Sequence, residues 1–298
     1  MKSDTIQPAA ASSMQWLSPW LPALLIACAM SCVAAPAQAG ELWTLAETRP
    51  LHGPGTAAAP WPVGTPWMLL PASLVGPPPL LCQQARQRLL LMPTAGLFQG
   101  AWQIERAEAA AARAAALGLQ DRTVATLRLD CANASFDFHR NAAGQLLTAF
   151  DGQVLVLRVD ATAGDAQTTV RQLLLQHLDG PEVFGPPSIA ALRRWLAPPL
   201  QQAFTRWLAS PERPDQVPAL NGDPFTDTQE PPHALSLGPL AERGDGAEQV
   251  VFAELEGGRR HRLVYRLQRD AQSRRWLLAD IAYSHGPTLR QLLREDSH

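Results

Sequence analysis

The stretch WLLADIAYSHGPTLRQLL at 276–293 places three residues capable of acid–base work within six positions: Asp280, Tyr283 and His285. A carboxylate among apolar neighbours has its pKa raised and can serve as a general base. In a strand, however, alternate side chains share a face. That pattern groups Asp280 with Trp276 and Leu278, and Tyr283 with Leu277 and Ile281, so the two point oppositely and form no ready-made dyad. Buried polar groups usually find structural partners, which favours a structural Asp280. His285, ahead of Gly286-Pro287, reads as a turn residue at the end of the strand.

Three other groupings compete for chemistry. Asp223 and Asp227 stand four apart across Pro224 in NGDPFTDTQE. Paired carboxylates can hold a hard cation or divide acid and base roles, but a calcium loop needs more oxygen ligands at closer spacing. Capping of a short turn is the favoured reading. Asp137 and His139 in FDFH share one strand face, the spacing a metal or proton relay would use, with no second histidine or cysteine nearby. The expectation there is a solvent-facing polar row opposite a phenylalanine core. Arginines gather late: Arg260, Arg262 and Arg266 share a face opposite Leu263, Tyr265 and Leu267. A guanidinium row can hold phosphate, carboxylate or an acidic protein and is the best binding clue in the chain, although pairing with the acidic residues that precede it, or simple solvation of a charged strand face, is the more ordinary reading. Tyr265 and Asp280 are the residues a ligand pocket would use.

The sequence contains no HExxH, CxxC, GxSxG, glycine-rich phosphate loop or GxGxxG, which lowers the prior for the corresponding enzymes. Lys2 is the only lysine among 25 basic residues; cleavage of the N-terminal segment leaves none for a Schiff base or a phosphate loop. With a formal charge of -2, no polycationic field exists for nucleic acid. No pattern assigns a catalytic residue, a metal or a cofactor.

The elements that must position these residues follow an export signal. Trp16 to Val33 is apolar and uncharged, and Ala37-Gln38-Ala39 before Gly40 fits a small-x-small cleavage site. The signal is therefore expected over 1–39, giving a periplasmic or secreted protein. The alternative is a lipoprotein anchored at Cys28, within LIAC. No other span is long and apolar enough to cross a bilayer. Cys82 and Cys131 remain after cleavage, and an even pair in an exported protein predicts one disulfide.

Residues 40–179 read as a β-rich domain, a barrel or sandwich. Leu51 to Pro79 is too rich in proline and glycine for long helices, and Trp67 to Val75 is its first strand. A helix over Ile104 to Leu117 is stopped by Gly118. Strands follow at Thr123–Asp130, Ala134–His139 and Leu146–Val159, the last folded over Asp151-Gly152. Thr168 to Leu178 is expected to return as a strand. The segment 180–187, GPEVFGPP, is the linker. Residues 188–298 then read as an α+β domain. A helix capped by Ser188 comes first, and a second opens at Pro199. Strands follow at Gln249–Leu255, Arg262–Gln268 and Arg275–Tyr283, with a last helix over Leu289–Arg294. Helices ahead of a meander pack on one face of an antiparallel sheet.

GDPFTDTQE, VVFAEL and above all WLLADIAYSHGPTLRQLL resemble the C-terminal part of an uncharacterised bacterial family of envelope proteins and lipoproteins. The resemblance covers about residues 188–296. It implies a cystatin-like or nuclear-transport-factor-2-like cone of helices on a curved sheet, and no activity. LLCQQA, the segment around LFQG and FDFH resemble calycin-like barrel domains. The function expected is non-catalytic binding of a protein partner or an anionic envelope component, through the arginine face or the concavity of the cone. Two alternatives are a small-molecule enzyme or carrier built around Asp280, and a structural accessory subunit of an envelope complex, which would expose a broad apolar patch.

Overall fold

Among the described residues, thirteen antiparallel strands run in the order β13-β12-β11-β10-β5-β6-β7-β8-β9-β1-β2-β3-β4, with five short helices. This computed structural model describes residues 40–298 except 52–59, 101–106, 120–122, 133, 161–164, 181–183, 211–217, 285 and 297–298. The proposed signal, Cys28 and His285 lie outside the described residues. Residues 38–298 cluster as one compact unit.

The N-terminal strands are β1 (Glu41–Pro50), β2 (Pro66–Leu70), β3 (Ser73–Val75), β4 (Leu81–Gln83) and β5 (Arg86–Pro93). Those that follow are β6 (Thr123–Asp130), β7 (Ser135–Arg140), β8 (Leu146–Phe150) and β9 (Gln153–Val159). Asp151 and Gly152 both take positive φ, +47° and +69°, between β8 and β9, the backbone a two-residue hairpin turn demands. Among the described residues no strand pairing joins β4 to β5, so the β-rich part is not a closed barrel. Its open edge is held instead by other bonds. Cys82 on β4 is disulfide-bonded to Cys131 just after β6, the Ala85 amide donates to Ala72 O, and Gln87 Nε2 donates to Leu70 O and Pro71 O. With a sequence separation of 49, the disulfide removes unfolded-state entropy worth about 4 kcal/mol.

Strands β6 to β9 are buried on both faces, whereas β1 to β4 bury only one. Trp43, Leu45, Trp67, Leu69, Phe138 and Leu157 face the main core. Leu51, Phe98, Leu119, Val124, Leu147 and Val156 form a second one beneath the 3-10 turn at Thr94–Gly100 and α1 (Ala107–Ala116). β9 therefore reads as a continuous apolar run, as strands covered on both sides do. Gly118, at φ +72°, ends the turn after α1.

The expected strand at Thr168–Leu178 is the helix α2 (Ala166–Leu178). Asp165 caps it, accepting from the Thr168 amide at 2.7 Å. Thr168, Thr169 and Val170 suggest a strand locally, but the segment is thirteen residues long and nearly all buried, which suits a core helix better than a strand. α2 packs against β5 and β6 and also against β10, β11 and β13.

Beyond it come α3 (Pro186–Leu192), α4 (Pro198–Ala209), β10 (Ala234–Arg243), β11 (Gly246–Glu254), β12 (Arg260–Arg269), β13 (Trp276–Ala282) and α5 (Leu289–Glu295). Ser188 sits at the third position of α3 and accepts from the Gly185 amide rather than preceding the helix. α4 opens on Pro198-Pro199, where missing amides cost nothing. β10 continues the sheet onto β5 through Leu235 opposite Leu89 and Ser236 opposite Arg88. Sequence reading misses β10 because Gly238 and Pro239 look like a loop; the strand absorbs them in a register shift between Leu237 and Leu240.

Candidate functional site

A bulge in β13 decides where Asp280 points. Arg266 pairs with Asp280, but Leu267 pairs with Leu278, so Ala279 is extra and the alternation of faces shifts after it. Trp276, Leu278, Ile281 and Tyr283 are all buried, and Asp280 turns to the opposite face, beside the arginine row. The strict alternation read from the sequence, which grouped Asp280 with Trp276 and Leu278, fails at this one inserted residue. Asp280 Oδ1 accepts from the amides of Ile281 at 2.9 Å and Arg290 at 3.0 Å. Arg290 lies in the first turn of α5, whose amides lack intrahelical partners, and a carboxylate there also meets the positive end of the helix dipole. Asp280 is thus positioned as a helix cap.

Tyr265 faces the other way. Its side chain is fully buried and its hydroxyl donates to Phe225 O, while the Tyr283 hydroxyl donates to Pro224 O at 2.8 Å. Burial raises both phenols above their ordinary pKa. Two phenols therefore hold the carbonyls of the 222–228 turn to the sheet.

Arg260, Arg262 and Arg266 stand exposed on β12. Arg260 lies with its guanidinium 4.2 Å from the centre of the Phe252 ring and 3.9 Å from Glu254. Arg266 reaches Glu248 at 3.3 Å, and both partners are the residues paired across β11. Arg262, opposite Phe252, has no ion-pair partner among the described residues. Half-buried Val250, Phe252 and Val264 lie between the charges on that face. The helices pack on the other face, so this one is open.

Asp137 and His139 depart most from expectation. Neither faces solvent: Asp137 is 3% and His139 0% exposed, because the Thr94–Gly100 turn and α1 cover that face. Asp137 takes a bidentate pair from Arg128 at 2.7 and 2.8 Å. His139 Nε2 accepts from the Phe98 amide at 2.9 Å, and Nδ1 lies 2.9 Å from Thr126 Oγ1. That fixes the neutral tautomer with Nδ1–H donating to the hydroxyl. Burial holds its pKa down at about 4.

Asp223 caps the turn through its side chain, as expected, and also meets a residue that sequence reading passed over. Asp223 Oδ1 accepts from the Phe225 amide at 2.8 Å, and Oδ2 lies 2.6 Å from His177 Nε2 on α2. Gly222 is required here: at φ +134°, an added Cβ would meet Thr228 O at 2.7 Å. The pair borders a groove of about 380 Å³ whose lining includes Leu91, Phe184, Thr228 and Glu230. A histidine–carboxylate pair can move a proton. One hydroxyl lining the groove, that of Thr228, is hydrogen-bonded with Thr226 at 2.6 Å. Nearby, burial pushes the Asp179 carboxyl up to about 6 against the opposing Arg140 guanidinium. No group of three or more potential metal ligands occurs among the described residues. Only the mistaken strand reading of 168–178 hid His177, since a helix places it beside the turn.

Comparison with protein-family models, curated proteins and solved structures gives no match for this chain.

Proposed function

We propose that this chain is an exported envelope protein that binds a protein partner or an anionic envelope component without catalysis. The observation that carries this reading is the open face of β12, where Arg260, Arg262 and Arg266 flank half-buried Val250, Phe252 and Val264. Charged groups around an apolar centre are the make-up of a recognition surface. Guanidinium groups suit carboxylate or phosphate partners. The candidate general base points the same way: Asp280 Oδ1 is engaged by the backbone amides of Ile281 and Arg290. The cone-like shape of the C-terminal region and its division from the β-rich part belong to the same proposal.

Crosslinking of purified protein in envelope extracts, beside an Arg260→Ser/Arg262→Ser/Arg266→Ser variant, tests it. Capture by the wild type is expected to fall at least tenfold in the variant and to weaken with added salt. Equal capture by both forms would remove the arginine face from the function. A small molecule that co-purifies with the wild type and is lost on Asp280→Asn would move the site to β13.

A further inference from the structure

Six large apolar side chains are exposed among the described residues, and four of them form one line. Leu42, Met68, Val75 and Leu81 are 36%, 42%, 46% and 50% exposed. Leu42 is registered opposite Met68, Met68 opposite Val75, and Val75 opposite Leu81. Directly opposed residues on antiparallel neighbours share a face with their Cβ atoms about 5 Å apart. The row therefore crosses β1, β2, β3 and β4 as a continuous stripe, while the residues that alternate with it, Trp43, Trp67, Leu74 and Cys82, are buried. Single exposed apolar residues need no explanation, whereas a contiguous set marks an interaction surface. No charged residue interrupts the stripe. At its β9 end lie Asp160, whose amide donates to Leu42 O, and Arg158 opposite Thr44. Their charges have opposite sign.

The chain itself points to what covers the stripe. Gly40 enters β1 two residues before Leu42, and a Cβ added there would lie 2.8 Å from Met68 Cγ and from Leu70 Cδ2. The polypeptide leading to Gly40 carries the uncharged apolar run Trp16 to Val33, with Cys28 inside it. The residues between Cys28 and Gly40 span at most about 40 Å when fully extended. A chain held to a membrane at Cys28 keeps Gly40, and the Leu42 and Met68 that follow and flank it in the sheet, within that reach of the lipid surface.

We propose that Leu42, Met68, Val75 and Leu81 dock on the boundary between headgroups and acyl chains of a lipid bilayer. The inference rests on the membrane-anchored alternative for the N-terminal segment, the lipoprotein held at Cys28, and not on cleavage before Gly40. Apolar burial drives the contact, and because the stripe is uncharged, docking does not require anionic lipid and resists salt.

The test takes the protein as isolated from the envelope, records its intact mass, and mixes it with phosphatidylcholine vesicles containing a diazirine-bearing fatty acid. After illumination, peptides are mapped for lipid adducts. Adducts on residues 66–83 are expected, unchanged at high salt, and at least fivefold fewer in a Met68→Ser/Val75→Ser/Leu81→Ser variant whose melting temperature is preserved. Adducts confined to 16–33, or none at all, would overturn the proposal, as would crosslinks joining residues 66–83 of two copies in place of lipid adducts. The mass separates this result from the anchoring at Cys28. A chain processed near Gly40 that still labels at 66–83 supports docking, and one that does not label leaves export standing and docking refuted.

Discussion

Glu41 and Arg171 form an ion pair sealed from solvent, with Arg171 Nη2 2.6 Å from Glu41 Oε2 and side chains 0% and 2% exposed respectively. Gln172 Nε2 donates to the other carboxylate oxygen at 2.6 Å, and Arg171 Nη1 donates to Gln87 Oε1 at 2.8 Å. One network thus ties β1, β5 and α2 together. Burial of two charges is tolerated because nearly every lone pair and N–H finds a partner.

Removing one member should cost far more than the pair contributes. Arg171→Met leaves the Glu41 carboxylate buried and unpaired, and a loss of about 3–5 kcal/mol is expected. Adding Glu41→Leu to that variant should restore part of it. Urea unfolding of the two variants and the parent measures both steps, and equal stability of single and double variants would count against this account.

His139 predicts a pH dependence with a definite sign. Its folded pKa of about 4 lies below the ordinary 6.5, so the unfolded chain binds the extra proton first. Stability is complete above about pH 6.5 and falls as pH drops through that value towards 4. At pH 5 the loss attributable to this group is about 2 kcal/mol. Denaturant titrations at pH 7 and 5 on the parent and a His139→Gln variant isolate it: the difference between the two pH values should shrink by that amount in the variant.

Asp280 distinguishes scaffolding from chemistry. Asp280 accepts from a first-turn amide of α5 beside the Thr288 N-cap, so its replacement by alanine should cost about 1 kcal/mol, and hydrogen exchange at the amides of Ile281 and Arg290 should quicken. Asn, which keeps an acceptor, should lose less. Unchanged exchange in Asp280→Ala would contradict the capping role.

Local signals located much of this molecule. The Asp151-Gly152 hairpin, the Gly118 stop, the helix opened by Pro198-Pro199 and the three late strands were legible because each rests on neighbours in the chain. Cys82 and Cys131 are the only two cysteines beyond Gly40, and that count was enough to pair them. β1, β5 and β10 were not legible, and α2 was read as a strand, since their identity depends on what packs against them. The arginine row on β12 was visible as a period-two pattern. The Asp280 orientation was not, because a single extra residue in β13 reverses the faces beyond it.

By itself, then, the sequence determined the turns, the helix stops, the cysteine pair, the late strands and the exposed guanidinium face, all features set by backbone preference and side-chain alternation within a few residues. Only the tertiary structure decided that His139 is neutral and buried, that His177 meets Asp223 and that Arg171 meets Glu41 across most of the β-rich chain. It also lined up Leu42, Met68, Val75 and Leu81. Those relations join residues through strand register and layer packing, and register is fixed only when the whole sheet has assembled.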